Sequence, residues 1–440
     1  MKHFSGKNVC VIGLGRSGKS AINLLLEKKA QVIAVDDSQD CLSLEEIRGY
    51  KDRGVKILTG PSNVMSIGLV DLAIVSPSIA HDHPLVQRLV ASRTPIWSEL
   101  ELGWRESLCP SIAISGTNGK TTVTSWVKKI LVGNGLRTIA AGNIGTPLSE
   151  VVTQNKNLNF FTLEVSSFQL EHVESFKPKI ALLLNVAEDH LDRHCSLENY
   201  LRIKSRLFEN QGTGDCAIIQ WELLERLKQI DVPVPSPTLT FSECESSADL
   251  YIERNQVKCR MPNWPSTVLD LDHCNFQGSH NAANLMAALL VGKVLGLPIE
   301  KLIAIAAELQ SGGHRCKLVG ELNGVKFFND SKSTNVHALT NALCSMPDNN
   351  GDPKNVWLIA GGQNKGVDFR GAKRELMQRV KSAYLIGQAS IEMRSAWSSY
   401  VTCNLVGNML EAVGEAGRNA VSGDVVLLSP ACASFDMFDS

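Results

Sequence analysis

Short apolar runs alternate with helical spacings along most of this chain, and polar residues gather where the runs stop. Lys7–Ile12 is one such run. A glycine turn and a helical pattern over residues 19–28 follow it, and Gln31–Val35 then ends on Asp36. Val55–Leu58 and Leu69–Val75 repeat the theme, the latter running into Ser76, Pro77 and Ser78. Wholly apolar runs separated by amphipathic stretches mark parallel strands joined by crossover helices. Residues 1–98 are therefore predicted to form a doubly wound, Rossmann-like α/β domain.

The alternation restarts at Glu99. Ile112–Ile114 predicts a buried strand, Gly116–Gly119 a tight turn, and Lys120 the start of a helix running towards Val132. Further strands are expected at Thr138–Ala141, Phe160–Leu163 and Ile180–Val186, then a helix capped by Ser196 and reaching Phe208. From Ala217 to Gln277 the pattern breaks into short alternating pieces among Pro and Ser clusters, which predicts a small antiparallel excursion. A helix from His280 to Leu295 follows, and Ser311–Arg315 reads as a linker. The central domain is thus expected over 99–311, with a P-loop ATPase-like α/β fold, and a third over 312–440. In the last, Val325–Phe328, Asn355–Ala360, Ala383–Ile386 and Asp424–Leu428 predict a second Rossmann-like sheet.

Composition narrows the function. A length of 440 residues suits about three domains at ~150 residues each, and 44% apolar content fills their cores. A formal charge of −1 without a basic run argues against a nucleic-acid partner. No apolar stretch approaches the ~18 residues of a membrane span, and the N-terminus lacks a signal-peptide layout. Twelve cysteines without a C-x-x-C pair suit reduced thiols of a cytoplasmic protein and give a zinc site little support. A monomer is expected.

Two turns carry phosphate-binding chemistry. Gly13-Leu14-Gly15-Arg16-Ser17-Gly18 is a complete G-x-G-x-x-G between a strand and a helix, with Asp36 where a ribose-binding acid belongs. It establishes a phosphate-binding βαβ unit and leaves NAD and other nucleotides open. The second turn is Gly116-Thr117-Asn118-Gly119-Lys120-Thr121-Thr122. Here backbone N–H groups and a helix N-terminus face an anion, the lysine reaches outer phosphates, and a threonine hydroxyl can hold Mg²⁺. Ile114 stands where the full P-loop pattern has its first glycine. A nucleoside triphosphate site is expected there.

Glu164 and His190 end predicted strands beside that loop, where they suit a metal or its water shell. A satisfied polar residue at a strand end accounts for each alone equally well. Arg202, Lys204 and Arg206 read, on spacing, as a solvated basic face. In the third domain Lys332 and Lys365 lie in loops that follow strands, which suits an anionic small molecule.

Together these stretches resemble the Mur ligases. The resemblance rests on GTNGKTT at 116–122, NIG at 143–145, EVSSFQLE at 164–171 and NVAEDHLDRH at 185–194. HNAAN at 280–284, GGHR at 312–315, NDSKSTN at 329–335 and LLSPACAS at 427–434 extend it over nearly the whole chain. Order and spacing are similar to the branch that adds D-glutamate to UDP-N-acetylmuramoyl-L-alanine. The resemblance implies a first domain that binds the UDP of a sugar nucleotide, and ATP-driven amide formation through an acyl phosphate. It implies ATP and two Mg²⁺ ions as cofactors, with Lys120 on the γ-phosphate, Thr121 and Glu164 on one ion, and His190 on the other. Lys204 matches a lysine carbamylated in the family, which reverses the reading from spacing and implies a depressed amine pKa. Asn281, Arg315 and Asp330 match nucleotide contacts, and Lys332, Thr334, Lys365 and Ser434 the D-glutamate pocket. Leu14, Arg16, Ser17, Asp36, Ser76 and Ser78 match the uridine and diphosphate site, with Asn143 reaching the substrate. Ser78 stands where the family often has Gly, which bears on close backbone approach there.

A sister ligase for another amino acid, a folylpolyglutamate synthase, an NAD-dependent oxidoreductase and a non-catalytic nucleotide switch are the alternatives. Family members usually continue beyond the segment that matches SPACASFDMF with an aromatic residue and a helix. A chain ending at Ser440 is expected to bind D-glutamate more weakly.

Overall fold

The computed structural model describes residues 4–61, 65–154, 157–276, 278–310, 316–349 and 351–438. Three sheets organise them. The first holds β1 (Asn8–Ile12), β2 (Gln31–Asp36), β3 (Lys56–Thr59), β4 (Leu72–Val75) and β5 (Ile96–Ser98). Their order is β3-β2-β1-β4-β5, all parallel. The strand order reverses beside β1, so the glycine turn after it opens into the crevice where such sheets bind ligands.

The central sheet contains β6 (Ser111–Ser115), β7 (Thr138–Gly142), β8 (Phe160–Glu164), β9 (Ile180–Leu183), β10 (Cys216–Gln220), β11 (Thr238–Ser242), β12 (Leu250–Glu253), β13 (Gln256–Cys259) and β14 (Thr267–Asp270). Its order is β14-β13-β12-β11-β10-β9-β6-β8-β7. The expected antiparallel excursion over 217–277 needs correction. β10 and β11 continue the parallel ladder through the crossover helix Trp221–Gln229, and β12 pairs parallel with β11. Only β12–β13–β14 run antiparallel. β9 stops at Leu183, short of the Val186 read from the apolar run, because Asn185 leaves the ladder to bond the phosphate loop. The helix Ser279–Val294 is buried at every residue from Asn281 to Gly292, wedged against the helix Lys120–Gly133.

The third sheet comprises β15 (Lys317–Leu322), β16 (Val325–Asn329), β17 (Val356–Gly361), β18 (Val380–Ile386), β19 (Thr402–Leu405) and β20 (Val425–Leu428), in the order β15-β16-β20-β17-β18-β19. β15 is its antiparallel edge, exposed along its length, with a bulge between Leu318 and Gly320. The three units join differently. One apolar cluster runs from Val9 and Leu24 through Leu100 and Leu148 to Leu163 and Phe176, so the first two share a core. The third keeps its own clusters around Leu358 and Ile359.

Candidate active site

β6 delivers the phosphate loop to the carboxyl edge of the central sheet. Gly119 has φ +84°, and a Cβ there would meet Asn284 Oδ1 at 2.3 Å, so this position requires glycine. The loop is pinned from β9's continuation. Thr117 N donates to Asn185 O (3.0 Å), Asn118 N to Asn185 Oδ1 (2.8 Å), and Asn185 Nδ2 to Asn118 O (3.1 Å). Ala187 N donates to Thr117 Oγ1 at 3.0 Å. Lys120 starts the following helix, and its Nζ donates to the carbonyls of Gly116 (2.8 Å) and Thr117 (2.7 Å). Thr121 Oγ1 donates to Glu164 Oε2 (2.8 Å), while Asn143 Nδ2 donates to Glu164 Oε1 (2.7 Å). Thr121, Asn143 and buried Glu164 thus form one unit at the ends of β7 and β8.

Lys204 is the clearest departure from the reading by spacing. It is 1% exposed, whereas Arg202 pairs outward with Glu198 and Arg206 donates to the carbonyls of Leu170, Glu171 and Val173. The predicted solvated face therefore does not exist at Lys204. Its Nζ donates to Gly116 O at 3.0 Å and sits 4.5 Å from the centroid of the Tyr200 ring. Burial, reinforced by Lys120 and opposed by Asp189, holds this amine well below the ordinary lysine value. A neutral amine is the form that attacks CO₂.

Asp189 and His190 stand where sequence placed only the second. Asp189 is buried; it accepts from Asn335 Nδ2 at 3.0 Å and lies 3.3 Å from Lys365 Nζ. Burial works against its carboxylate, but Lys365, His190 and Asn335 outweigh it and leave its pKa lowered. His190 sits in the left-handed region (φ +54°), 3.6 Å from Asp189. Desolvation pushes its pKa down to about 4. Beside it, Phe168 and Tyr200 stack on either side of His194, whose Nε2 meets Ser167 Oγ at 3.0 Å.

A cleft of about 680 Å³ opens between the central and third sheets, lined by Asn118, Gly119, Phe276, Asn281, Asp330 and His337. Its volume is that of a mononucleotide-sized ligand site. Asp330 is buried and accepts from Ser333 Oγ, from Ser429 Oγ (2.9 Å) and from Cys316 N (3.2 Å). Across the cleft, Asn118 Nδ2 donates to Asn335 Oδ1 (3.2 Å) and meets His337 Nδ1 (2.9 Å). Lys332 is exposed and Thr334 and Ser434 are half-buried on neighbouring loops; Arg315 lies outside the described residues. Asp189, Asn185, Asn335 and His337 went unassigned in sequence, although NDSKSTN and NVAEDHLDRH contain three of them.

The first-domain turn is a separate site. Leu14 N donates to Asp36 Oδ2 at 2.7 Å and Ser38 N to Asp36 Oδ1 at 2.9 Å, so this acid braces the turn. Ser76 Oγ donates to Gly13 O (2.7 Å), and a Cβ on Gly18 would lie 1.9 Å from the same oxygen. Arg16 and Ser78 are exposed and Ser17 is half-buried at the crevice, with Arg16 Nη2 at 3.5 Å from Thr146 Oγ1.

The donor set tests the expected metals. The hydroxyl of Thr121 and carboxylate of Glu164 are hard oxygens that fit Mg²⁺. Among the described residues no group of three or more His, Cys, Asp or Glu gathers that could hold a metal. Lys204 and His190 offer nitrogen as they stand, with the Asp189 carboxylate 3.6 Å from His190.

Comparison with known proteins agrees with this architecture. Residues 7–98 match the Mur ligase MurD-like N-terminal domain, 114–292 the Mur ligase middle domain, and 314–432 the Mur ligase glutamate ligase domain. The UDP-N-acetylmuramoylalanine–D-glutamate ligase of Syntrophus aciditrophicus is 35% identical over 99% of this chain and 95% of that protein. The enzyme of the same name from Desulfitobacterium hafniense is 35% identical over 99% and 94%. Among solved structures, the MurF ligase of Thermotoga maritima in complex with ADP shares the fold at TM-score 0.58 and 15% identity, over 98% of this chain and 92% of that one. These matches define a three-domain α/β nucleotide-dependent ligase. The chain belongs to the Mur ligase family.

Proposed function

We infer that this chain is an ATP-dependent ligase that joins D-glutamate to UDP-N-acetylmuramoyl-L-alanine in the cytoplasm, working as a monomer in peptidoglycan precursor synthesis. The observation that carries the reading is the gathering of charged groups at the phosphate loop: Lys120 and Lys204 both donate to Gly116 O, Thr121 bonds Glu164, and Lys365 pairs with Asp189. Among the described residues no helix is long and apolar enough to cross a membrane, in keeping with a cytoplasmic enzyme.

A carboxylate is a poor electrophile at neutral pH, so the substrate's L-alanyl carboxylate first attacks the γ-phosphorus and ADP departs. The amine of D-glutamate then attacks the acyl phosphate carbon and loses a proton. The tetrahedral intermediate collapses as phosphate leaves with the C–O bonding pair. Such transfers rest on positioning and charge neutralisation. Lys120, once drawn from the Gly116 and Thr117 carbonyls by a triphosphate, neutralises the γ-phosphate, while the loop N–H groups orient it. Thr121 and Glu164 would hold one Mg²⁺; His190 and carbamylated Lys204 would hold a second; the ions supply positive charge to the phosphates. Asn281, Asp330 and Arg315 bind the nucleotide. Lys332, Thr334, Lys365 and Ser434 receive D-glutamate, its carboxylates competing with Asp189 for Lys365. Leu14, Arg16, Ser17, Asp36, Ser76 and Ser78 form the UDP site, and Asn143 reaches the substrate's acyl end.

Phosphate release from ATP with UDP-N-acetylmuramoyl-L-alanine, measured with and without D-glutamate, tests the reading. Release that requires D-glutamate supports it. Release driven equally well by another amino acid points to a sister ligase, and no release with any amino acid overturns it.

A further inference from the structure

The sugar-nucleotide crevice and the phosphate loop lie on different sheets, yet the reaction needs them in one fixed register. We propose that Arg193 is the positioning residue that sets this register, by clamping the turn after β4 onto the central domain; this rests on the ligase reading above. The turn is Ser76–Ile79, closed by Ile79 N donating to Ser76 O at 3.0 Å. Arg193 Nη1 donates to Pro77 O (2.7 Å) and Nη2 to Ile79 O (2.8 Å), the two carbonyls that flank Ser78. The same guanidinium donates through Nε to Glu171 Oε1 at 3.0 Å and pairs through Nη2 with Glu171 Oε2, and its carbon lies 4.3 Å from the Phe168 ring centroid. Phe168 in turn contacts the rings of His190 (4.8 Å) and His194 (5.5 Å). A side chain that is 14% exposed thus ties a turn of the UDP site to the residues beside Lys204 and Asp189.

The chemistry of the group fits the task. Only a planar fork with five donors can satisfy two carbonyls and a carboxylate at once; an ammonium on a flexible stem cannot span them. Small misplacement of reacting groups costs far more in turnover than in binding of either substrate alone. Arg193 touches neither substrate in this scheme and acts through the Ser76–Ile79 turn.

Arg193→Lys keeps the charge and removes the fork. Hydrogen exchange at the Ser76–Ala80 amides is expected to rise at least fivefold in this variant, and kcat to fall at least tenfold with UDP-N-acetylmuramoyl-L-alanine as substrate. ADP affinity is expected to stay within twofold of wild type. Arg193→Ala should regain part of its kcat with millimolar guanidinium, which a merely structural role would not allow. Unchanged exchange in Arg193→Lys, or kcat and ADP affinity falling together, overturns the proposal. Should Arg193→Ala fail to fold, the Arg193→Lys exchange and kinetics decide alone. A wild-type protein without D-glutamate-dependent phosphate release sinks the ligase reading instead, and the exchange result still judges the clamp.

Discussion

The chain holds two strand–glycine–helix turns, and they have been put to different uses. The turn at Gly13–Gly18 is braced within its own domain: Asp36 takes the Leu14 amide and Ser76 the Gly13 carbonyl. Lys19 follows its last glycine as Lys120 follows Gly119, but its Nζ pairs with Glu46 Oε1 at 2.5 Å, and Arg16 stands exposed at the rim. The turn at Gly116–Thr122 is held by Asn185 from below, carries Lys120 and Thr121 into its mouth, and meets the third domain through Asn118. Both lead into a helix N-terminus, where the backbone dipoles favour negative charge. What separates binding from chemistry is the surroundings: one turn meets a static brace, the other meets a lysine, a buried carboxylate and a second domain.

Removing Lys120 tests this contrast most severely. Lys120→Ala should lower ligation at least about tenfold, since a charge-neutralising group is worth at least ~1.4 kcal/mol in the transition state. Binding of the UDP substrate should stay near normal. More than a tenth of wild-type turnover in this variant would place phosphoryl transfer elsewhere.

Lys204→Ala should be nearly as damaging, and a short carboxylic acid should partly restore it. Lys204→Met also separates activity from stability. Burial holds the pKa of this amine in the folded protein well below the ~10.4 of the unfolded chain. Stability at this site therefore rises with pH between the depressed value and the ordinary one, and Lys204→Met should gain most at the low end of that window. Equal melting-temperature differences at pH 7 and pH 9.5 would refute a depressed pKa at Lys204.

At the other turn the effects should be confined to one substrate. Asp36→Ala should raise KM for the UDP substrate about tenfold, the cost of a lost charge-assisted bond, with ADP affinity unchanged. UDP-N-acetylmuramoyl-L-alanine should raise the melting temperature of the wild type, while NAD should not. A shift with NAD alone would restore the dinucleotide reading of Gly13–Gly18.

The smallest effect concerns acid. His172, His190 and His194 are each pushed by desolvation to about 4, below an ordinary value of 6.5. Their contribution to stability is fully present above pH 6.5 and is lost as pH falls towards 4. Urea midpoints measured from pH 7 to 4.5 should decline less steeply in His194→Gln. Parallel curves would show that this ring titrates normally.

The sequence carried the sheets and both glycine turns plainly, because an apolar run ending in glycine is a local signal. Glu164 was legible for the same reason, as the polar residue that ends β8, whereas His190 lies past the end of β9, at the start of the short helix Leu191–His194. Lys204 was not: flanked by Arg202 and Arg206, it looked solvated, and only the tertiary approach of Gly116 turns it inward. The pairing of Asn118 with Asn335 and His337 spans more than two hundred positions, and that of Asp189 with Lys365 spans 176, so no local pattern could announce either. β10 to β12 misled for the opposite reason. Their short, half-polar runs imitate hairpins, and what makes them parallel is the crossover helix between β10 and β11.

The bulged edge strand β15 bears on how the protein behaves in bulk. Leu318, Val319 and Leu322 are 48%, 59% and 64% exposed on a strand with one unpaired side. An edge of that kind is a template for a neighbour's backbone, and the bulge, with Lys317 and Glu321, keeps it from lying flat. Deleting Val319 would straighten the ladder and hand each molecule a uniform strip for its neighbour. Light scattering at high protein concentration is expected to rise in that variant.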